Sequence, residues 1–272
     1  MNESSAVVNV ANVLLGEAPS PAVSSSTAHA RAARLTRARN VLGQATRRWE
    51  GRYRASPEYG RERVLPVPAP LCSLFPGRGL RRGGTIAVPA CTSLLLALLS
   101  EASAQGSWCA VVGLPELGMV AASEAGLVLS RVALVPRPAG ELVAVTAALL
   151  EGIDLVVLAG VARLRAGDRQ RLSARARQRG AVLVAAGCWP GADLVVSGSP
   201  GHWQGLVGGG AGRLCSRRVR VRVRVDGRAA AHRRGYTTVL LPGSSGALAT
   251  AEWSGSVSVS PAAASAGVRE AG

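Results

Sequence analysis

The sequence contains no lysine, so all 32 of its basic residues are arginines. No side chain is therefore available for the lysine of a G-x-x-x-x-G-K-[ST] loop, which reaches the terminal phosphates of a bound nucleotide. Cysteine is scarce and scattered: Cys72, Cys91, Cys109, Cys188 and Cys215 form no C-x-x-C pair and have no histidine beside them, which argues against a zinc site. Most lie in apolar runs and read as small buried hydrophobes in a reducing compartment. Aromatic residues make up only 3% of the chain, so the core has to be built from the alanine, valine and leucine that dominate its 48% hydrophobic content. No apolar run approaches the length of a membrane span. The N-terminus carries Glu3 and no basic region ahead of its apolar stretch, unlike a secretory signal. The expected location is the cytoplasm, with association to the nucleoid as an option. The histidines, His29, His202 and His232, fall outside the regular core, and no Ser/His/Asp or Cys/His constellation can be assembled.

What the chain has in excess is positive charge. A net charge of +16 favours an anionic partner, either nucleic acid or an acidic protein surface. A genome-wide bias towards arginine codons accounts for part of the excess. The length of 272 residues suits one α/β domain with poorly ordered ends. Residues 1–26 are expected to be a disordered leader. Residues 27–70 read as a basic helix and a proline-rich connector: Ser26 is a candidate N-cap, and Leu35, Ala38, Leu42, Ala45 and Trp49 form an apolar stripe among arginines. The core is expected over 71–242 and a mostly flexible tail over 243–272, with a last strand at Ser256–Ser260.

Within the core, strand and helix signals alternate. Strands are expected at Thr85–Val88, Trp108–Val112, Arg131–Val135, Ile153–Leu158 and Ala181–Ala186. Helices are expected at Ser93–Gln105, Glu116–Ala125, Glu141–Glu151 and Gly167–Arg179. This alternation predicts a parallel sheet covered on both faces. Asp193–Ser197, Leu214–Val225 and Thr237–Leu241 are expected as antiparallel additions on the C-terminal side. The glycine-rich stretch between Pro200 and Gly212 reads as a surface loop.

The pivot is the glycine-rich turn Gly79-Leu80-Arg81-Arg82-Gly83-Gly84, which leads through the Thr85–Val88 strand into the Leu/Ala helix. Together with Leu71-Cys72-Ser73-Leu74-Phe75-Pro76-Gly77-Arg78, this segment resembles the entry into the first core strand of the RecA fold. More closely, Leu80–Gly83, Gly106–Gly118 and Ile153–Leu158 resemble the ImuA-type RecA-like accessory proteins of actinobacterial damage-induced mutagenesis. The resemblance covers roughly residues 70–225. It implies a RecA-like α/β core and partners of the polymerase cassette: an ImuB-like inactive Y-family polymerase homologue and an error-prone replicative-type polymerase. It also implies a place for a nucleotide, and there the residues depart from the pattern. Only Pro89 and Ala90 separate Val88 from Cys91, too few for a phosphate-wrapping loop, and Pro89 lacks the N–H such a loop donates. Cys91 stands where the lysine belongs. Thr92 keeps the hydroxyl position and reads as an N-cap. Ala159 replaces the acid that would orient a metal shell, and Asp154 lies at the wrong end of its strand for that task. Glu116, where RecA-type ATPases keep the carboxylate that activates water, is expected to cap its own helix. No catalytic residue, cofactor or metal is therefore expected.

Arg218–Val225 alternates arginine and valine with period two, so one strand face is apolar and the other basic. Arg213, Arg217, Arg218, Arg220, Arg222 and Arg224, with His202 and Trp203 as stacking groups, form the expected surface for sequence-independent DNA contact or for an acidic partner. Charge that protects an edge strand from aggregation gives a similar pattern. Three functions follow as expectations. The leading one is a non-catalytic accessory scaffold in damage-induced (SOS) mutagenesis and translesion synthesis. The others are an inhibitor of cell division like the SulA-type proteins, which also resemble degenerate RecA cores, and a degenerate RecA-like DNA-binding protein.

Overall fold

The computed structural model describes residues 8–9, 64–89, 91–206, 212–225 and 235–251. The expected leader, the basic helix and connector up to residue 63, Ala90, the glycine run 207–211, residues 226–234 and the chain beyond 251 lie outside the described residues. The strands are β1 (Val8–Asn9), β2 (Val64–Pro66), β3 (Gly79–Arg81), β4 (Thr85–Ala87), β5 (Cys109–Val112), β6 (Val132–Val135), β7 (Leu155–Leu158), β8 (Val182–Ala185), β9 (Leu194–Gly198), β10 (His202–Leu206), β11 (Gly212–Val225), β12 (Gly235–Leu240) and β13 (Ala249–Thr250). The helices are α1 (Thr92–Ala104), α2 (Met119–Glu124), α3 (Leu142–Leu149) and α4 (Ala166–Arg179).

One large sheet runs in the order β1-β6-β5-β7-β8-β4-β9-β11-β12-β13, with β10 also on β11; β2 and β3 form a separate antiparallel pair. From β1 to β9 every pairing is parallel. β11, β12, β13 and β10 add on antiparallel. The fold is thus an α/β arrangement with a mixed, mostly parallel sheet flanked by helices. The parallel strands read as uninterrupted apolar runs because both faces are covered: β5, β7 and β8 are buried at every position.

Two cores result. On one face α1 presses Leu94, Leu95, Leu98 and Leu99 onto Val111, Val157, Val184, Val196 and Val221. Its outer side is sealed by Leu71, Phe75 and Leu80 from the segment before β4. Double coverage explains why every residue of Leu94–Leu99 is buried and the run shows no polar face. On the other face Leu149 near the end of α3, with Leu172 and Ala176 of α4, packs against Val112, Val156, Leu158 and Leu183. α4 closes on Gly180, whose φ of 70° lies in the left-handed region, with Arg177 and Arg179 in the last turn beside the carbonyl end.

Several expectations are corrected. β9 is parallel to β4, because the chain crosses from β8 over β4 before it turns back at β11. The segment read as a surface loop contains a strand, β10, held by β11 through His202↔Arg218 and Gln204↔Ser216. α2 begins only at Met119 with Gly118 as N-cap and no acid in its first turn, so Glu116 does not cap it. Cys91 rather than Thr92 is the N-cap of α1. Of the cysteines only Cys109 is buried: Cys72 and Cys91 are half-buried, and Cys188 and Cys215 are exposed. Residues Ala249–Thr250, at the start of the segment after 243, form β13 on β12. No helix among the described residues is long and apolar enough to cross a membrane.

Candidate functional site

In a parallel α/β sheet the ligand place is the carboxyl edge, where strands feed helix N-termini. Here β4 ends at Ala87 and α1 begins at Thr92, with Val88, Pro89, Ala90 and Cys91 between them. The N-cap makes no side-chain hydrogen bond. Two neighbours fill the ground above. The end of β9 lies so close that a Cβ on Gly198 would stand 3.5 Å from Cys91 Sγ and 3.1 Å from Val219. Arg217 then reaches over from β11: its Nη2 donates to Ser93 Oγ at 3.4 Å and lies 3.9 Å from Cys91 Sγ. Its Nε donates to the Leu241 carbonyl at 3.0 Å. The indole of Trp203 backs the same guanidinium, 5.4 Å away. A cation is therefore packed at the helix end that favours anions.

Asp154 sits at the opposite, amino edge. Its carboxylate accepts from Arg82 Nη1 at 2.9 Å and from the Trp108 amide at 3.0 Å, tying the turn before β4 to the starts of β5 and β7. That is a structural role. Cys109, beside it and fully buried, has its thiol pushed up to about 12, first by burial and then by the Asp154 charge, with a hydrogen bond to Ser103 acting the other way. Among the described residues no group of His, Cys, Asp and Glu could hold a metal ion.

β11 divides the expected basic surface in two. Val219, Val221 and Val223 point into the α1-side core and are almost fully buried. Arg217, one residue out of phase with the alternating run, shares that side and belongs to the packed loop. Arg218, Arg220, Arg222 and Arg224 share the other. Partners in register across the strands lie on the same face: His202 stands opposite Arg218, Thr238 opposite Arg220, and Ser197 and Tyr236 opposite Arg222. Trp203, opposite Arg217, faces away from His202, so the two rings cannot serve one stack as expected. Sequence reasoning missed Tyr236, whose exposed ring lies 4.8 Å beneath the Arg220 guanidinium. The signal for the division was present in the doublets Arg217-Arg218 and His202-Trp203, since adjacent residues on a strand point to opposite faces.

Over this face lies a groove of about 510 Å³, lined by Ser197, Gly198, Ser199, Pro200, His202, Arg218, Arg220, Arg222 and Thr238, none of them acidic. Ser199 closes the rim by accepting the Arg220 amide at 3.2 Å. Arg218 Nε is sealed from solvent without a hydrogen-bond partner, the one buried side-chain nitrogen or oxygen in that state among the described residues. Leaving such a donor unmet costs about 1–3 kcal/mol. Arg213 and Arg224, both exposed, lie towards the two ends of β11 and outside the groove. The arginines of α4 are in a different state: Arg175 and Arg179 both pair with Glu151, Arg171 lies 3.7 Å from Asp168, and Arg169 donates to the Leu164 carbonyl.

Residues 73–191 match a family model described as MT3502 N-terminal domain. That match takes in the closed loop and most of the parallel half, and stops before β9 and the arginine groove. An uncharacterised protein of Mycobacterium tuberculosis is 37% identical over 151 residues, which cover 55% of this chain and 64% of the relative's length. The chain is thus similar to an MT3502-type N-terminal domain through its parallel half, and the aligned region spans just under two thirds of that mycobacterial relative.

Proposed function

We propose that this protein is a non-catalytic, RecA-like accessory protein of damage-induced (SOS) mutagenesis and translesion synthesis. It acts as a scaffold for an ImuB-like inactive Y-family polymerase homologue and an error-prone replicative-type polymerase. The RecA-like reading rests on the resemblance of residues 70–225 and on an interior β4 that feeds α1 within a parallel sheet. The ImuA-type identity rests on Leu80–Gly83, Gly106–Gly118 and Ile153–Leu158. The mycobacterial relative fits it in source, since mycobacteria are actinobacteria.

The observation that carries the non-catalytic reading is Arg217. Its guanidinium lies over the N-terminus of α1, where a nucleotide's phosphates would bind, and the chain has no lysine to take part. Phosphoryl transfer needs a phosphate cradle and a metal shell together, and the residues at this edge supply neither set. Binding is then the protein's task, through the surfaces that the sheet and its basic extension present.

The test is affinity capture of the tagged full-length chain from cells exposed to DNA damage. The two polymerase-type partners are expected in the eluate, and their repeated absence at matched bait levels overturns the assignment. In parallel, magnesium–ATP is expected to leave the melting temperature of the purified protein unchanged.

A further inference from the structure

We propose that the groove on the arginine face of β11 is a discrete binding site for closely spaced phosphoryl groups. It is a second place on the sheet, separate from the closed loop at α1. The inference deepens the reading above and rests on it only for the biological setting.

Four observations converge. Arg218, Arg220 and Arg222 present their guanidinium groups along one strand face, and strand geometry sets successive ones about 6.6 Å apart, a repeat that suits successive phosphates. Neutral donors surround them: the hydroxyls of Ser197, Ser199 and Thr238 line the same groove. No carboxylate among the described residues lines it, whereas Arg171, Arg175 and Arg179 of α4 are partnered by Asp168 and Glu151. Arg218, finally, keeps a buried Nε without an acceptor. A guanidinium fork offers two parallel N–H donors to a phosphate, so a ligand that draws the Arg218 fork into the groove supplies the missing acceptor. Solvated charge on an edge strand would account for exposed arginines alone, and it does not account for the orphaned donor. β11 is also interior to the sheet at this point, with β12 on one side and β9 and β10 on the other.

Two sources offer this chemistry, a nucleic-acid backbone and a free di- or triphosphate, and the test separates them. Binding of a fluorescent thymidine oligonucleotide is followed by anisotropy with the full-length chain, and unlabelled inorganic pyrophosphate is titrated as competitor. R218K keeps the charge and loses the fork; it is expected to weaken binding about tenfold, close to R218Q. R222Q, at an exposed position where folding is not at stake, is expected to weaken it comparably. R224Q, outside the groove, and R171Q, on α4, are expected to change it less than about threefold, as loss of one diffuse charge would. Competition by pyrophosphate at micromolar concentration identifies free phosphates as ligands of the site; binding of the oligonucleotide without such competition identifies the backbone. If R218K binds like the parent chain, or if all four substituted positions weaken binding equally, the basic face is a diffuse field and the proposal fails. It fails equally if neither probe binds. Partner capture is read independently: polymerase-type partners recovered by an R218Q chain would leave the scaffold reading intact while the site is lost.

Discussion

The parallel half of the sheet and its antiparallel extension share the core on the α1 side, yet their other faces end in opposite states. Between β6 and β4 both faces are covered, by α1 on one side and by α3 and α4 on the other. At β9, β11 and β12 the α1 side remains covered, while the opposite face carries arginines, hydroxyls and Tyr236. Coverage sets the residue pattern. A strand buried twice reads as a plain apolar run, and a strand buried once alternates. The same contrast separates the two places where an anion would be sought: Arg217 packs over the helix end beside β4, and the groove beside β11 has no acid among the described residues that line it.

Substitutions along β11 test the contrast most severely. V221D buries a carboxylate in the α1-side core and is expected to cost about 4 kcal/mol or more, enough to unfold a marginal domain, whereas R222A, one residue away on the open face, is expected to stay within about 0.5 kcal/mol. Denaturant titration of both variants checks this, and similar losses would show that the second face is covered after all. In the doubly covered half, L172A removes a fully buried side chain of α4 and is expected to cost about 3 kcal/mol. The Arg82–Asp154 pair at the amino edge is less protected, the arginine side chain being 22% exposed, so D154N is expected to cost about 2 kcal/mol after screening is allowed for.

Smaller still is a pH effect confined to the parallel half. The unfolded Cys109 thiol ionises near its ordinary value of 9.0, and the folded one near 12. The folded state therefore holds the proton longer. The stability this adds is complete below pH 9 and is lost progressively as pH rises towards about 12. Thermal melts from pH 8 upward are expected to fall more steeply for the parent chain than for C109A, and parallel curves would show that the thiol is not the cause. At the bottom of the range, E151Q frees Arg175 and Arg179 at a cost of less than about 1 kcal/mol, because the pairs are solvent-exposed. It is also expected to raise polyanion binding slightly by releasing two arginines, which anisotropy would register.

Most of the parallel half was legible in the sequence, because double burial writes itself as runs such as Leu155–Leu158 and Val182–Ala185 and helices announce themselves by length. The short link between β4 and α1 was equally legible, being a matter of spacing between Val88 and Cys91. Less accessible were features that depend on pairing across distance. β9 reads as an antiparallel addition because its run is short, yet the crossover past β4 makes it parallel. β10 is fully exposed and rich in glycine around it, so nothing local marks it as a strand; β11 holds it in place. The basic surface was visible as a stretch, and its division was not drawn from it. Arg217 packs over Ser93, more than a hundred residues earlier in the chain, and Tyr236 reaches this face through its register with Arg222 and its ring contact with Arg220.

The central claim is that phosphate recognition lies on the arginine face of β11 and not at the helix end beside β4. Amide chemical-shift mapping of the isotope-labelled chain, titrated with the oligonucleotide and separately with pyrophosphate, tests it most directly. The account predicts that the largest shifts fall at Ser197–His202 and Arg218–Arg222, with Val88 and Cys91–Leu94 unmoved. Shifts centred on Cys91–Leu94, with the groove silent, would contradict it.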